Sequence, residues 1–183
     1  MRKIPISGGP HSGKTTLLNA LRKEYPDAHL LEEPAEKVIS YELAREEAEQ
    51  SYIGTFPWNN YAGFSRLVLD ASVELEEAIP GEANLVFQDR SIIDNIGYNK
   101  LNGLSDLLPE ISERIEVANY AFALFCQPVG TYTPTVIRRE TPEEAQRTHE
   151  FLAEAYDNSG LMVVHLPAIS VTERIQLIRE VIQ

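Results

Sequence analysis

Cysteine is nearly absent: Cys126 is the only one among 183 residues. A lone thiol excludes an intramolecular disulfide and any zinc site built from several cysteines. Its place after the apolar run Phe122–Phe125 reads as a buried core thiol. Basic residues are also scarce, with 16 Lys+Arg against 28 Asp+Glu and a formal charge of −12. Repulsion from phosphates at that charge opposes non-specific binding to nucleic acid and to anionic membrane surfaces. No apolar stretch approaches the roughly 18 residues of a membrane span. Met1–Pro5 is too short for a signal peptide. No repeat, low-complexity tract or Gly/Ser-rich linker divides the chain, so residues 1–183 are expected to form one domain. With 43% hydrophobic and 24% charged residues, the composition excludes wholesale disorder. The expectation is an acidic, soluble, cytoplasmic protein whose partner is a small molecule.

Short apolar runs alternate with helical patterns along the whole chain. Ile4–Ser7 ends at Gly8-Gly9-Pro10, a strand followed by a turn. Helical spacing follows from Lys14 to Glu24, closed by Pro26. Further strands are expected at His29–Leu31, Asn84–Gln88, Ala118–Cys126 and Leu161–Leu166. Helices are expected at Ala35–Ser51, Asn59–Ile79, Ser91–Leu101 and Pro142–Asn158, and a last one opens at Ser170. Thr141 with Glu144, and Ser170 with Glu173, read as capping boxes. Five apolar strands separated by helices imply a three-layer α/β/α fold around a parallel sheet. The irregular segment Gln127–Glu140 is the candidate lid loop.

Gly8-Gly9-Pro10-His11-Ser12-Gly13-Lys14-Thr15 satisfies G-x-x-x-x-G-K-S/T, after an expected strand and before an expected helix. The glycines let the backbone curl until successive N–H groups face phosphate oxygens, and the helix start adds its positive end. Lys14 would reach the β- and γ-phosphates and the Thr15 hydroxyl would ligate Mg²⁺. Thr16 completes the candidate nucleotide-binding stretch. His11 holds an unrestricted position of the pattern, so its side chain is expected to be a loop-tip group, counted with the loop rather than with the chemistry. Fixed N–H dipoles, one lysine and a metal ion reconcile polyphosphate binding with the acidic balance.

Glu32-Glu33-Pro34 follows the second strand, where carboxylates face the ligand crevice of an open parallel sheet. Glu33 is the candidate general base; the alternative is an acid near the positive end of the next helix. Asp89-Arg90-Ser91 follows the third strand. In a phosphate-loop protein an acid there holds Mg²⁺ directly or through water. Arg90 reads as a substrate or phosphate contact, or as a salt-bridge partner of Asp94. Arg138 and Arg139, in the lid segment, can pair with the transferring phosphoryl group through their guanidinium forks; Arg147 is a weaker candidate of the same kind. Tyr52, Phe56, Trp58, Tyr61 and Phe64 either stack on a substrate ring or form a satellite core under a loop. Trp58 and Tyr61 are the candidate substrate contacts of this window.

In the order of these motifs the chain resembles P-loop nucleoside kinases, which carry a Glu-Pro pair, an acid-Arg-Ser triplet and an Arg-rich lid. It is also similar to AAA-type ATPase domains related to the nicotinamide riboside kinase part of NadR. That second likeness rests on Gly8–Thr16, on Phe151–Tyr156 and on Leu161–Pro167. The resemblance implies a five-stranded sheet of order 2-3-1-4-5, ATP or GTP with Mg²⁺, and Glu33 as base. It implies transfer of the γ-phosphoryl group to a nucleoside- or nucleotide-like acceptor. The alternative is an NTPase switch or regulatory module, in which water is the acceptor.

Overall fold

The computed structural model describes residues 1–129 and 141–182. Its frame is a five-stranded parallel sheet of order β2-β3-β1-β4-β5, as the resemblance implies. The strands are β1 (Arg2–Ser7), β2 (His29–Leu31), β3 (Leu85–Asp89), β4 (Ala123–Cys126) and β5 (Val163–Leu166). In the central strand β1, Ile4 pairs with Phe87 on β3 and Ile6 with Leu124 on β4. Every residue of β4 is buried. Continuous burial of this kind marks a parallel strand covered on both faces, and it explains why these segments read as unbroken apolar runs.

The covering helices are α1 (Lys14–Glu24), α2 (Pro34–Ala48), α3 (Tyr61–Glu77), α4 (Ile92–Leu101), α5 (Leu108–Ala118), α6 (Pro142–Asp157) and α7 (Val171–Ile182). Side chains of β4 divide by the two-residue period of a strand. Leu124 joins Ile4 and Ile6 under Leu17 and Leu21 of α1 and Ile175 and Ile178 of α7. Ala123 and Phe125 face the other way, against Ile93 of α4, Ile111 of α5 and Leu152 of α6. Leu152 is fully buried, and truncating such a side chain to alanine removes about 2–5 kcal/mol of stability. α2 packs on α3 through Val38, Phe64 and Ala71.

Both expected capping boxes are present. The Thr141 hydroxyl accepts from the Glu144 N–H and the Glu144 carboxylate from the Thr141 N–H. Ser170 and Glu173 repeat the arrangement ahead of α7.

Helix α5 has no counterpart in the sequence reading. It ends where Asn119 turns into the left-handed region, φ 54°. That turn divides the apolar run Ala118–Cys126: Ala118 closes the helix, Tyr120 makes a single bridge to Lys3, and only Ala123–Cys126 is strand. An apolar run reports burial, not the backbone that carries it.

Candidate active site

All five strands point their carboxyl ends to one edge, and the motif residues lie along it. Gly8–Gly13 connect β1 to α1, Glu33 follows β2, Asp89 closes β3, Gln127 follows β4 and Pro167 follows β5. Gly13, at φ 77°, sits before α1 in a conformation that costs a side chain 1–2 kcal/mol, in order of magnitude, unless it is glycine. The turn is closed by Ser12 N–H donating to the Gly9 carbonyl at 3.3 Å and Leu17 N–H to that of Gly13 at 3.0 Å. A cavity of about 450 Å³ is lined by Gly9, Pro10, His11, Ser12, Gly13, Lys14, Thr15 and Thr16, with Glu33, Arg90 and Tyr98 opposite. Gly8 lies behind it, against the Cys126 carbonyl. Cys126 is the core thiol expected, and burial pushes its pKa up to about 11.

Burial lowers the pKa of Lys14, and Arg90 adds to the effect, while Asp89, Glu33 and Asp94 oppose it. Asp89 moves the other way. Burial raises its pKa to about 6, against the attraction of Lys14 and Arg90 and with the repulsion of Glu33 and Asp94. Its Oδ1 is buried and has no hydrogen-bond partner among the described residues. Such an atom is costly to hold in a fold unless a ligand satisfies it. Asp89 and Thr15 line one cavity of about 480 Å³ together with Glu32, Glu33 and Glu36. An orphaned carboxylate oxygen and a hydroxyl in the lining of one cavity are a hard, all-oxygen donor set, which fits Mg²⁺.

Arg90 is held in the left-handed region at φ 67°, an uncommon conformation for a long side chain and one that surrounding contacts must enforce. Its Nε donates to Glu33 Oε1 at 2.8 Å and its Nη1 to Asp94 Oδ1 at 3.0 Å, and it lies over the Tyr98 ring at 5.1 Å. Burial alone would lower its pKa, but Tyr98, Glu33 and Asp94 together raise it and keep the guanidinium charged. The Glu33 side chain makes no capping bond to α2; it turns to Arg90 instead. Asp94 gathers the rest. It accepts from Ser7 Oγ at 2.5 Å, from Ser91 N–H at 2.9 Å and from Tyr156 O–H at 2.6 Å.

Beyond this cluster lies an apolar cavity of about 230 Å³, walled by Pro34, Ala35, Ile39, Tyr61, Phe64 and Val68. Glu33, Arg90 and Tyr98 line both it and the loop cavity.

The aromatic window therefore divides. Tyr61 and Phe64 face the apolar cavity, whereas Trp58 does not: it is 69% exposed and stacks on Phe56 at 4.8 Å. The turn ahead of α3 aims it at solvent, outside the lining of that cavity. Tyr52 is tied to Glu42 at 2.6 Å. Arg147 lies over Phe151 on the exposed side of α6. Arg138 and Arg139, with most of the expected lid, lie outside the described residues.

Two contributors escaped the sequence reading, and a third was read only in part. Asp94 is legible only as a partner for Arg90, although its place three residues after Ser91 marks the capping box that the structure contains. His149 of α6 accepts from the Gly9 N–H at 3.3 Å. Arg174 of α7, 2% exposed, donates to the carbonyls of Ser12, Gln127 and Pro167 at 2.5, 2.7 and 2.9 Å. Neither residue carries a local signal, since the partners are other strand ends.

The family model of the AAA domain matches residues 3–174. The chain belongs to that family. A thymidylate kinase of Aliarcobacter butzleri is 29% identical over 96 residues, covering 52% of this chain and 48% of that protein. The match thus spans about half the length of that relative. Among solved structures, thymidylate kinase from Candida albicans superposes with a TM-score of 0.68 at 17% identity, over 99% of this chain and 90% of that one. Deoxyadenosine kinase from M. mycoides gives 0.69 at 14% identity, over 98% of each chain. NadR, in complex with NAD and AMP-PNP, gives 0.61 at 23% identity over 98% of this chain and 49% of that one. At these identities the three structures establish a shared P-loop kinase fold. Among the described residues no helix is long and apolar enough to cross a membrane.

Proposed function

We propose that this protein is a kinase, acting as one cytoplasmic domain, that transfers the γ-phosphoryl group of ATP to a hydroxyl of a small nucleoside-like molecule. The observation that carries the reading is the junction of two cavities. The polar one is formed by the phosphate loop and the apolar one is walled by Tyr61 and Phe64, and Glu33, Arg90 and Tyr98 line both. A donor and an acceptor seated in the two cavities meet at that junction, and juxtaposition of reactants is the main requirement of phosphoryl transfer. The thymidylate kinase relative and the deoxyadenosine kinase fold support a nucleoside-like acceptor.

In this reading the loop N–H groups and Lys14 hold the triphosphate. Glu33, oriented by Arg90, accepts the proton of the acceptor hydroxyl as its oxygen bonds to the γ-phosphorus. The bond from that phosphorus to the β,γ-bridging oxygen breaks, and ADP leaves. Arg138 and Arg139 would pair with the transferring group. Thr15 and Asp89 would hold Mg²⁺, which neutralises charge on the phosphate oxygens when bound. GTP is the alternative donor.

The test is a panel of nucleosides and related small alcohols incubated with labelled ATP and Mg²⁺. Transfer of label to one class of acceptor is expected. Phosphate release indifferent to every acceptor would replace the reading with an NTPase, and tight binding without turnover would leave a nucleotide-binding protein.

A further inference from the structure

We propose that His149 is a positioning residue of the phosphate loop, fixing Gly9 through a one-directional hydrogen-bond chain that ends at Asp157 on the surface. The inference rests on the reading of that loop as the seat of a nucleotide. A neutral imidazole has one donor and one acceptor nitrogen, and the partners decide which is which. A backbone N–H can only donate, so Gly9 N–H, 3.3 Å from His149 Nδ1, makes that nitrogen the acceptor and places the proton on Nε2. The Nε2–H then meets Gln127 Oε1 at 3.1 Å. With its oxygen so used, the Gln127 amide presents Nε2 to His165 Nδ1 at 3.4 Å. His165 must in turn carry its proton on Nε2, which faces Asp157 Oδ1 at 2.9 Å. Each link pairs a donor with an acceptor, and the first link admits one polarity only.

Steric confinement adds to the hydrogen bonds. A Cβ on Gly9 would stand 2.6 Å from His149 Cβ, so α6 and the loop touch where only glycine fits. On its other side the ring packs on Phe125, centroids 5.2 Å apart. Gln127 is itself bound into the edge of the sheet, its N–H to the Leu166 carbonyl and its carbonyl to Arg174. The entry to the loop is therefore fixed before any ligand arrives, and preorganisation of this kind lowers the cost of binding.

A second proton on His149 would set an N–H against the Gly9 N–H. Burial disfavours it, as does His165 on β5, whereas Glu150, next to His149 on α6, favours it. The loop and Gln127 present neutral groups to the ring. The charged imidazolium thus forms only on acidification, and loop anchoring is lost with it.

Two variants and one spectrum test the proposal. In His149→Asn the side-chain oxygen replaces Nδ1 as an acceptor that does not titrate; in His149→Ala the acceptor is gone. Calorimetry with ATP and Mg²⁺ at neutral pH should show affinity about 10-fold weaker for His149→Ala and largely restored in His149→Asn. Between neutral pH and pH 5 the wild-type affinity should fall more than that of His149→Asn, the titration of ATP itself being common to both. Nitrogen-15 spectra of the wild-type imidazoles at pH 7.5 should show His149 as the neutral Nε2–H tautomer. An Nδ1–H tautomer, wild-type affinity in His149→Ala, or parallel pH profiles for wild type and His149→Asn would overturn the proposal. The spectrum decides even if His149→Ala does not fold. It also separates the two readings: a wild type that binds no ATP ends the kinase reading, while the tautomer still tests the chain.

Discussion

Arg90 Nε donates to Glu33 Oε1 at 2.8 Å, across 57 residues of sequence, and so joins the end of β3 to the start of α2. The pair stands between the two cavities, with 11% and 21% of the side chains exposed. Its geometry turns the Glu33 carboxylate toward the junction rather than toward the helix it precedes.

Glu33→Gln keeps the shape and removes the proton acceptor. With the acceptor identified, kcat should fall at least about 100-fold while the ATP dissociation constant changes little, since general-base assistance is worth typically 10²–10⁴-fold. A merely helix-end acid would change stability by about 0.3–1 kcal/mol and leave turnover near normal. Steady-state kinetics separate the two outcomes, and near-normal turnover removes Glu33 from the chemistry.

Asp89→Asn should trade stability against metal-dependent binding. The folded-state pKa of Asp89 rises from 3.8 to about 6, so folding favours its protonated form. Above pH 6 the carboxylate is ionised in both folded and unfolded chains and its desolvation weakens the fold; below pH 4 it is protonated in both and the penalty vanishes. The asparagine variant should therefore be more stable than wild type by up to about 3 kcal/mol at pH 7–8, a margin that disappears towards pH 4. Denaturant melts across that range check the sign, and Mg²⁺ should enhance ATP binding to wild type alone.

Lys14→Met should abolish tight ATP binding without unfolding the protein. Burial already disfavours the Lys14 ammonium, so an apolar replacement should leave the melting temperature at neutral pH unchanged or higher. Unchanged ATP affinity by calorimetry would place the phosphate site elsewhere.

Arg174→Met should damage both fold and site. It strips donors from three carbonyls at the sheet edge, and about 2–4 kcal/mol of stability should go with them. Arg174→Lys, which keeps the charge but lacks the planar fork, should recover part of it. Chemical denaturation compares the three proteins; equal stability of Arg174→Met and wild type would contradict the assignment.

The contiguous parts of the site were legible because their chemistry is written in consecutive residues. Gly8–Thr15, Glu33 and Asp89-Arg90 each follow an apolar strand, and a parallel sheet delivers all strand ends to one edge. What was not legible depends on distance or direction. Tyr156 reaches Asp94 across 62 residues and His149 reaches Gly9 across 140, and no local pattern announces such pairs. Trp58 shows the other limit: aromatic composition identified the window but not which ring faces the cavity. Helix α5 was hidden because its last residue merges with the apolar run of the next strand.

The placement of β1 at the centre of the sheet has a consequence for a chain still emerging from the ribosome. Residues 2–6 find their partners on β3 at 85–89, and residues 6 and 7 find theirs on β4 at 124 and 125. The Ser12 carbonyl waits for Arg174, 162 residues later. Closing such long segments is the slow part of folding. The motif Gly8–Thr15 therefore takes its final shape only after segments as distant as α7 have docked against it.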